Sequence, residues 1–191
     1  MTDKVIENNQ VAIMGEIVSD FTFSHEIFGE GFYMVDISVN RLSDSTDIIP
    51  VMVSERLLDV GDDYKGMKIC IVGQFRSYNR HEERKNRLVL SVFAREIEFV
   101  EEISESAKTN QIFLDGYICK APVYRKTPLG REIADLLLAV NRPYGKSDYI
   151  PCICWGRIQS REYMKKLSED QLERRVAYEV SVSKLEMVEE E

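Results

Sequence analysis

The residues in this chain that could do chemistry are flat rings and cations, gathered in its second half. Between Tyr149 and Trp155, alternation puts Tyr149, Pro151, Ile153 and Trp155 on one face of a strand, with Ile150, Cys152 and Cys154 on the other. The second set reads as core. The first leaves a tyrosine and the chain's single tryptophan facing solvent, where exposed rings mark a contact surface. The same periodicity groups Arg157, Gln159, Arg161 and Tyr163. Lys120, Arg125, Lys126, Arg131, Arg142 and Lys146 are either a matching cationic surface or an ordinary solvated one. Rings and cations together suit planar, anionic ligands.

Other chemistry has little support. Cys152 and Cys154 are spaced C-x-C, not C-x-x-C, so no zinc site is expected. Four cysteines without a pairing framework read as reduced thiols, and His25 and His81 as ordinary polar residues of turns. No nucleophile, paired-base or phosphate-loop motif is present, so neither an enzyme nor a cofactor is expected. No apolar run approaches the roughly 20 residues of a membrane span, and the start MTDKVIENNQ lacks an apolar leader. A cytoplasmic protein without membrane contact is the expectation.

These residues are positioned by a duplicated module. Asn9 to Ser54 lies over Asn110 to Trp155 at a constant offset of 101, without a gap. Asn9, Gln10, Gly15, Ile17, Gly29, Val39, Asn40, Arg41, Asp47, Ile49 and Pro50 each recur in the second copy, among them as Gly116, Gly130, Asn141, Arg142, Asp148 and Pro151. The chain has 191 residues, 44% of them hydrophobic, which suffices for two cores. Its net charge of −8 is unevenly spread. From Gln10 to Ile103 there are 10 Lys or Arg against 17 Asp or Glu; from Gln111 to Lys166 there are 10 against 5. A polyanion would therefore choose the second copy.

Strand patterns cover most of the chain. In the first copy they are Val11 to Thr22, Tyr33 to Arg41, Asp47 to Val53, Met67 to Asn79 and Arg87 to Val100, with a short helix or irregular crossover from Glu55 to Lys65. In the second they are Gln111 to Pro122, Glu132 to Asn141, Asp148 to Trp155, Arg157 to Met164 and Val176 to Val188. Ser168 followed by Gln171 forms a capping-box pattern that predicts a short helix from Glu169 to Arg174. Five strands with a connection after the third is the layout of a Greek-key OB barrel. The expected fold is all-β: two tandem OB-fold barrels, over 1–103 and 110–191, joined by a linker at 104–109. After the third strand, the counterpart of the 18 residues Glu55 to Val72 is missing from the second copy. That barrel is thus reduced, or its open edge is covered by the first barrel or another subunit.

The segment from Gly116 to Arg157, GYICKAPVYRKTPLGREIADLLLAVNRPYGKSDYIPCICWGR, resembles the bacterial single-stranded DNA-binding protein family: a glycine in the first strand, a TPLG turn, an LAVNR strand end and an aromatic strand closing in WG. The resemblance implies non-catalytic binding of single-stranded DNA in replication, recombination or repair, a nucleoid-associated location and self-association. It points to Tyr144, Tyr149, Trp155 and Tyr163 as stacking residues, with Lys120, Arg125, Lys126, Arg131, Arg142, Lys146, Arg157 and Arg161 along the phosphates. Their first-copy counterparts for stacking are Ser43, Ile48, Ser54 and Arg80, so the acidic first barrel is expected to be structural or to hold replication or recombination proteins. The family's acidic tail with an apolar tip has no match in Glu189 to Glu191. Two alternatives stay open: an RNA-binding OB protein, and an interaction scaffold with degenerate nucleic-acid sites.

Overall fold

The computed structural model describes residues 8–41, 45–82, 85–126, 132–153, 157–168, 171–182 and 184–187. Alternating and β-branched segments become strands throughout, and the described residues contain no α-helix. The first module holds β1 (Asn9–Ile17), β2 (Thr22–Ile27), β3 (Glu30–Asn40), β4 (Thr46–Ser54), β5 (Lys68–Glu82) and β6 (Lys85–Val100). The second holds β7 (Asn110–Leu114), β8 (Tyr117–Ile118), β9 (Val123–Lys126), β10 (Glu132–Arg142), β11 (Lys146–Ile153), β12 (Arg157–Ser168) and β13 (Gln171–Ser181). This is a tandem pair of OB-fold modules.

The first barrel closes fully. β1 pairs antiparallel with the inner half of β5, Val11 opposite Gly73 and Glu16 opposite Lys68, and its far end pairs with β3. β6 returns parallel to β4. Inside are Ile13, Ile37, Ile49, Val51, Ile71, Phe75 and Val92, all buried. The crossover between β4 and β5 is a run of turns, not a helix; the Asp59 and Asp63 carboxylates accept from the N–H groups of Gly61 and Lys65 at 3.0 Å each.

The second module lacks the counterpart of that inner β5 half, and its architecture shows the consequence. β13 returns parallel to β11, Cys152 opposite Val180, as β6 does to β4. β7, however, pairs with β1 of the first module, Asn9 opposite Leu114, Val11 opposite Ile112 and Ile13 opposite Asn110. At an offset of 101 this pairing is symmetric about Val11 and Ile112, each module lending the same strand. β5 lies beside β11, and β12 beside β4 and β7. Of the two expected remedies for the deficit, the described strands show the first barrel covering the second.

Several boundaries differ from the sequence reading: the strand expected over Val11 to Thr22 ends at Ile17, with Thr22 opening a separate strand, and the one expected over Arg157 to Met164 runs to Ser168. The strand expected over Gln111 to Pro122 breaks after Leu114 and resumes as β8 and β9. At this point β10 crosses so close that a Cβ on Gly116 would collide with the Ala139 carbonyl oxygen; Gly15 stands in the same relation to the Ser38 carbonyl. That collision is why both copies keep the glycine. The helix expected from Glu169 to Arg174 is not formed: Gln171 onward is β13, paired with β12 from Ser168–Gln171 to Arg157–Ser181. The β12–β13 hairpin, closed between Ser168 and Gln171, overrides the local capping pattern. The last strand ends at Ser181, short of Val188.

Candidate nucleic-acid interface

The outer face of the second module is set by three strands. Ala139 on β10 stands opposite Tyr117 of β8 on one side and Tyr149 of β11 on the other. Directly opposed residues project to the same face of a sheet, so Tyr117, Ala139 and Tyr149 form one lateral row. Two inter-strand spacings put the strands that carry the two tyrosines about 10 Å apart. Both rings are open to solvent, Tyr117 at 58% and Tyr149 at 47%. Next to them lie half-buried Leu137 and Pro151, paired across β10 and β11. The alternation expected for β11 is present: Ile150 and Cys152 are buried, while Pro151 and Ile153 are partly exposed on the tyrosine side.

Tyr144 stands in the turn between β10 and β11. It has φ 66° and is followed by Gly145 at φ 69°, two left-handed residues in succession as in a type I′ hairpin turn. An aromatic residue rarely takes this conformation. Here it lifts the ring entirely into solvent.

The repeat supplies an internal comparison. The positions matching Tyr117, Ala139 and Tyr149 are Glu16, Ser38 and Ile48, and they too pair in a row. An acid and an aliphatic side chain stand where the second module has two phenols. The first module also holds aromatics: Phe28 is fully exposed at the turn between β2 and β3, while others are engaged with one another. His25 stacks on buried Phe32 at 5.2 Å, Phe32 meets Phe93 at 5.8 Å, and the Arg76 guanidinium lies 3.8 Å over the Phe93 ring. Burial first, then the nearby Arg142 guanidinium, brings the Arg76 pKa down to about 10.

The cations divide into two groups. Lys120, Lys126 and Lys146 are exposed. Arg142 is not part of an open cationic surface: its Nε donates to Asp148 Oδ2 at 2.6 Å, its Nη2 bonds Asp148 Oδ1, and the same Nη2 reaches the Ser77 carbonyl of the first module at 3.0 Å. Asp148 is only 1% exposed. The duplicated pair Arg41–Asp47 has the same geometry, with Nε to Oδ2 at 2.8 Å. Arg125 is held by Asp135 across β9 and β10, Nε to Oδ2 at 2.5 Å and Nη2 to Oδ1 at 3.0 Å. Fork-to-carboxylate pairs of this kind fix backbone register.

Trp155 and Arg131 lie outside the described residues. Arg157, Arg161 and Tyr163 fall at alternate positions of β12, on one face by periodicity, and their side chains lie outside what is described. Of the predicted stacking residues, Tyr149 lies in the outer-face row and Tyr144 is exposed at the turn between β10 and β11. Tyr117 was missed in the sequence because it sits beside a break in what reads as one continuous strand. Tyr124, also exposed, was missed as well; it is the repeat counterpart of Phe23, which is exposed in the first module. No His, Cys, Asp and Glu cluster suited to a metal occurs among the described residues, and no described helix is long and apolar enough to cross a membrane.

Comparison with known proteins places this geometry. Residues 109–172 match the model of the single-strand binding protein family. Single-stranded DNA-binding protein 3 of Listeria innocua is 31% identical, over 28% of this chain and 50% of its own length. The single-stranded DNA-binding protein of Oceanobacillus iheyensis is 35% identical, over 30% of this chain and 40% of its own length. The chain thus spans half or less of these curated relatives. The wild-type single-stranded DNA-binding protein of Thermus aquaticus shares the fold with a TM-score of 0.73 at 17% identity, over 96% of this chain and 94% of that one. The family match falls on the module with the tyrosine row, and the likeness in fold extends through both. Over residues 109–172 the chain is similar to the single-strand binding protein family.

Proposed function

We propose that the chain binds single-stranded DNA without catalysis, as an accessory to replication, recombination or repair, and that bases stack on the outer face of the second module. The observation that carries this reading is the row Tyr117–Ala139–Tyr149, whose duplicate is Glu16–Ser38–Ile48. Tyr144 adds an exposed ring at the turn between β10 and β11. Exposed Lys120, Lys126 and Lys146 follow the phosphates, joined by Arg131, Arg157 and Arg161, with Trp155 and Tyr163 as further stacking residues. Arg125 and Arg142 act one step back, as clamps on β9, β10 and β11.

The first module is the support for this face and the surface for protein partners. Its exposed Asp20, Asp59, Asp62 and Asp63, next to one another around the crossover, suit a basic partner among replication or recombination proteins. The test of the main reading is a titration of the full chain with poly(dT), followed through its single tryptophan, and then competition by poly(rU) of matched length. Saturable quenching that poly(rU) does not reverse at equal nucleotide concentration is expected. Preference for poly(rU) would favour an RNA-binding role, since only RNA offers the 2′-hydroxyl.

A further inference from the structure

We propose that Ser77 of the first module is the positioning residue for Tyr149 of the second, so that β5 presents the ring on which a base stacks. The inference rests on the reading of Tyr149 given above and adds to it the reason the two modules act as one. Ser77 is buried, and all three of its polar groups are taken by the second module. Its N–H donates to Asp148 Oδ1 at 2.5 Å, its carbonyl accepts from Arg142 Nη2 at 3.0 Å, and its Oγ accepts from the Tyr149 N–H at 2.8 Å.

The third bond stands where the edge of β11 away from β10 has no ladder pairing among the described residues, since β13 pairs with β11 only at Cys152 and Ile153. The Tyr149 N–H points to that edge, away from β10. A backbone N–H left there would twist the strand toward any acceptor, and the ring would turn with it. The Ser77 hydroxyl supplies the acceptor across 72 residues of sequence and fixes the orientation of Tyr149.

The duplication explains how such an arm arose. Ser160 of β12 is the counterpart of Ser77, and β12 lies beside β4, which carries Ile48 at the place of Tyr149. Each module extends the same strand toward the other. Among the described residues, the arm from the first module reaches an aromatic.

The chemistry allows a narrow test, because Ser77→Ala removes the hydroxyl and leaves the two backbone bonds to Asp148 and Arg142. In the full chain, Ser77→Ala should weaken poly(dT) binding about fivefold, the loss of one hydrogen bond's worth of orientation. Ser77→Thr, which keeps the hydroxyl and suits a strand, should restore most of it. In a Tyr149→Ala background, Ser77→Ala should change nothing further, since its effect passes through the missing ring. That coupling is a readout general destabilisation would not give. If Tyr149→Ala weakens binding while Ser77→Ala does not, or if the two losses multiply independently, Ser77 does not position Tyr149. If Tyr149→Ala binds like the unaltered chain, the stacking role itself fails and the inference falls with it.

Discussion

Replacing Asp148 by alanine should be the most damaging single change to the joint between the modules. The carboxylate is buried and takes three bonds: two from the Arg142 fork and one from the Ser77 N–H. Breaking a buried ion pair by removing one partner costs about 3 to 5 kcal/mol, which falls to roughly 2 to 3 because the Arg142 side chain keeps 27% exposure and water can reach it. Leaving the buried Ser77 N–H without its acceptor adds about 1 to 2 kcal/mol. For a chain of this size each kcal/mol lowers Tm by about 2 to 4 °C, so the total corresponds to a drop on the order of 10 °C. Thermal unfolding followed by circular dichroism at fixed salt measures it, with Tyr149→Ala, an exposed change, as the control that should shift Tm little. A drop under about 2 °C for Asp148→Ala would refute the view that this ion pair locks the modules together.

Two further outcomes follow from the same geometry. Gly116→Ala pushes a methyl into the Ala139 carbonyl and should destabilise by about 1 to 3 kcal/mol, as chemical denaturation would show; an unchanged midpoint would mean that β8 and β10 can separate at no cost. Because Arg125 and Arg142 are held by carboxylates, Lys120, Lys126 and Lys146 together with Arg131, Arg157 and Arg161 give a log–log salt slope for poly(dT) binding of about −4, and a loss of roughly 300-fold between 50 and 200 mM salt. Removing Lys146 should flatten that slope by about 0.7, whereas a slope that ignores the lysines would take them out of the interface.

The strands and their duplication were readable from alternation and from the constant offset, because a two-residue period and a gapless repeat are local facts. What those local facts did not carry is who pairs with whom. Arg142 was placed with the ligand-facing cations because it is basic and lies in a basic half, yet Arg41 and Asp47 recur with it and Asp148 at the same spacing. Residues kept in both copies turn out to build the fold, as the Gly15 and Gly116 contacts also show. The candidate ligand residues Tyr117 and Tyr149 are the ones the copies do not share. The hold of β5 on β11 joins Ser77 to residues 65 to 72 positions away, a distance at which no periodicity speaks. The capping pattern at Ser168 failed on different grounds: the same segment closes a tight hairpin, in which β13 pairs with β12 along its length.

The most direct test of the division of labour between the modules is to titrate poly(dT) into two full-length variants that differ only in which copy of the repeat is altered, Tyr149→Ala and Ile48→Ala. One base stacked on an aromatic contributes about 1 to 3 kcal/mol, so Tyr149→Ala should bind roughly 5- to 150-fold more weakly than the unaltered chain, with Ile48→Ala within about twofold of it. Equal affinities for the two variants, or a larger loss from Ile48→Ala, would contradict the assignment of the base-stacking face to the second module.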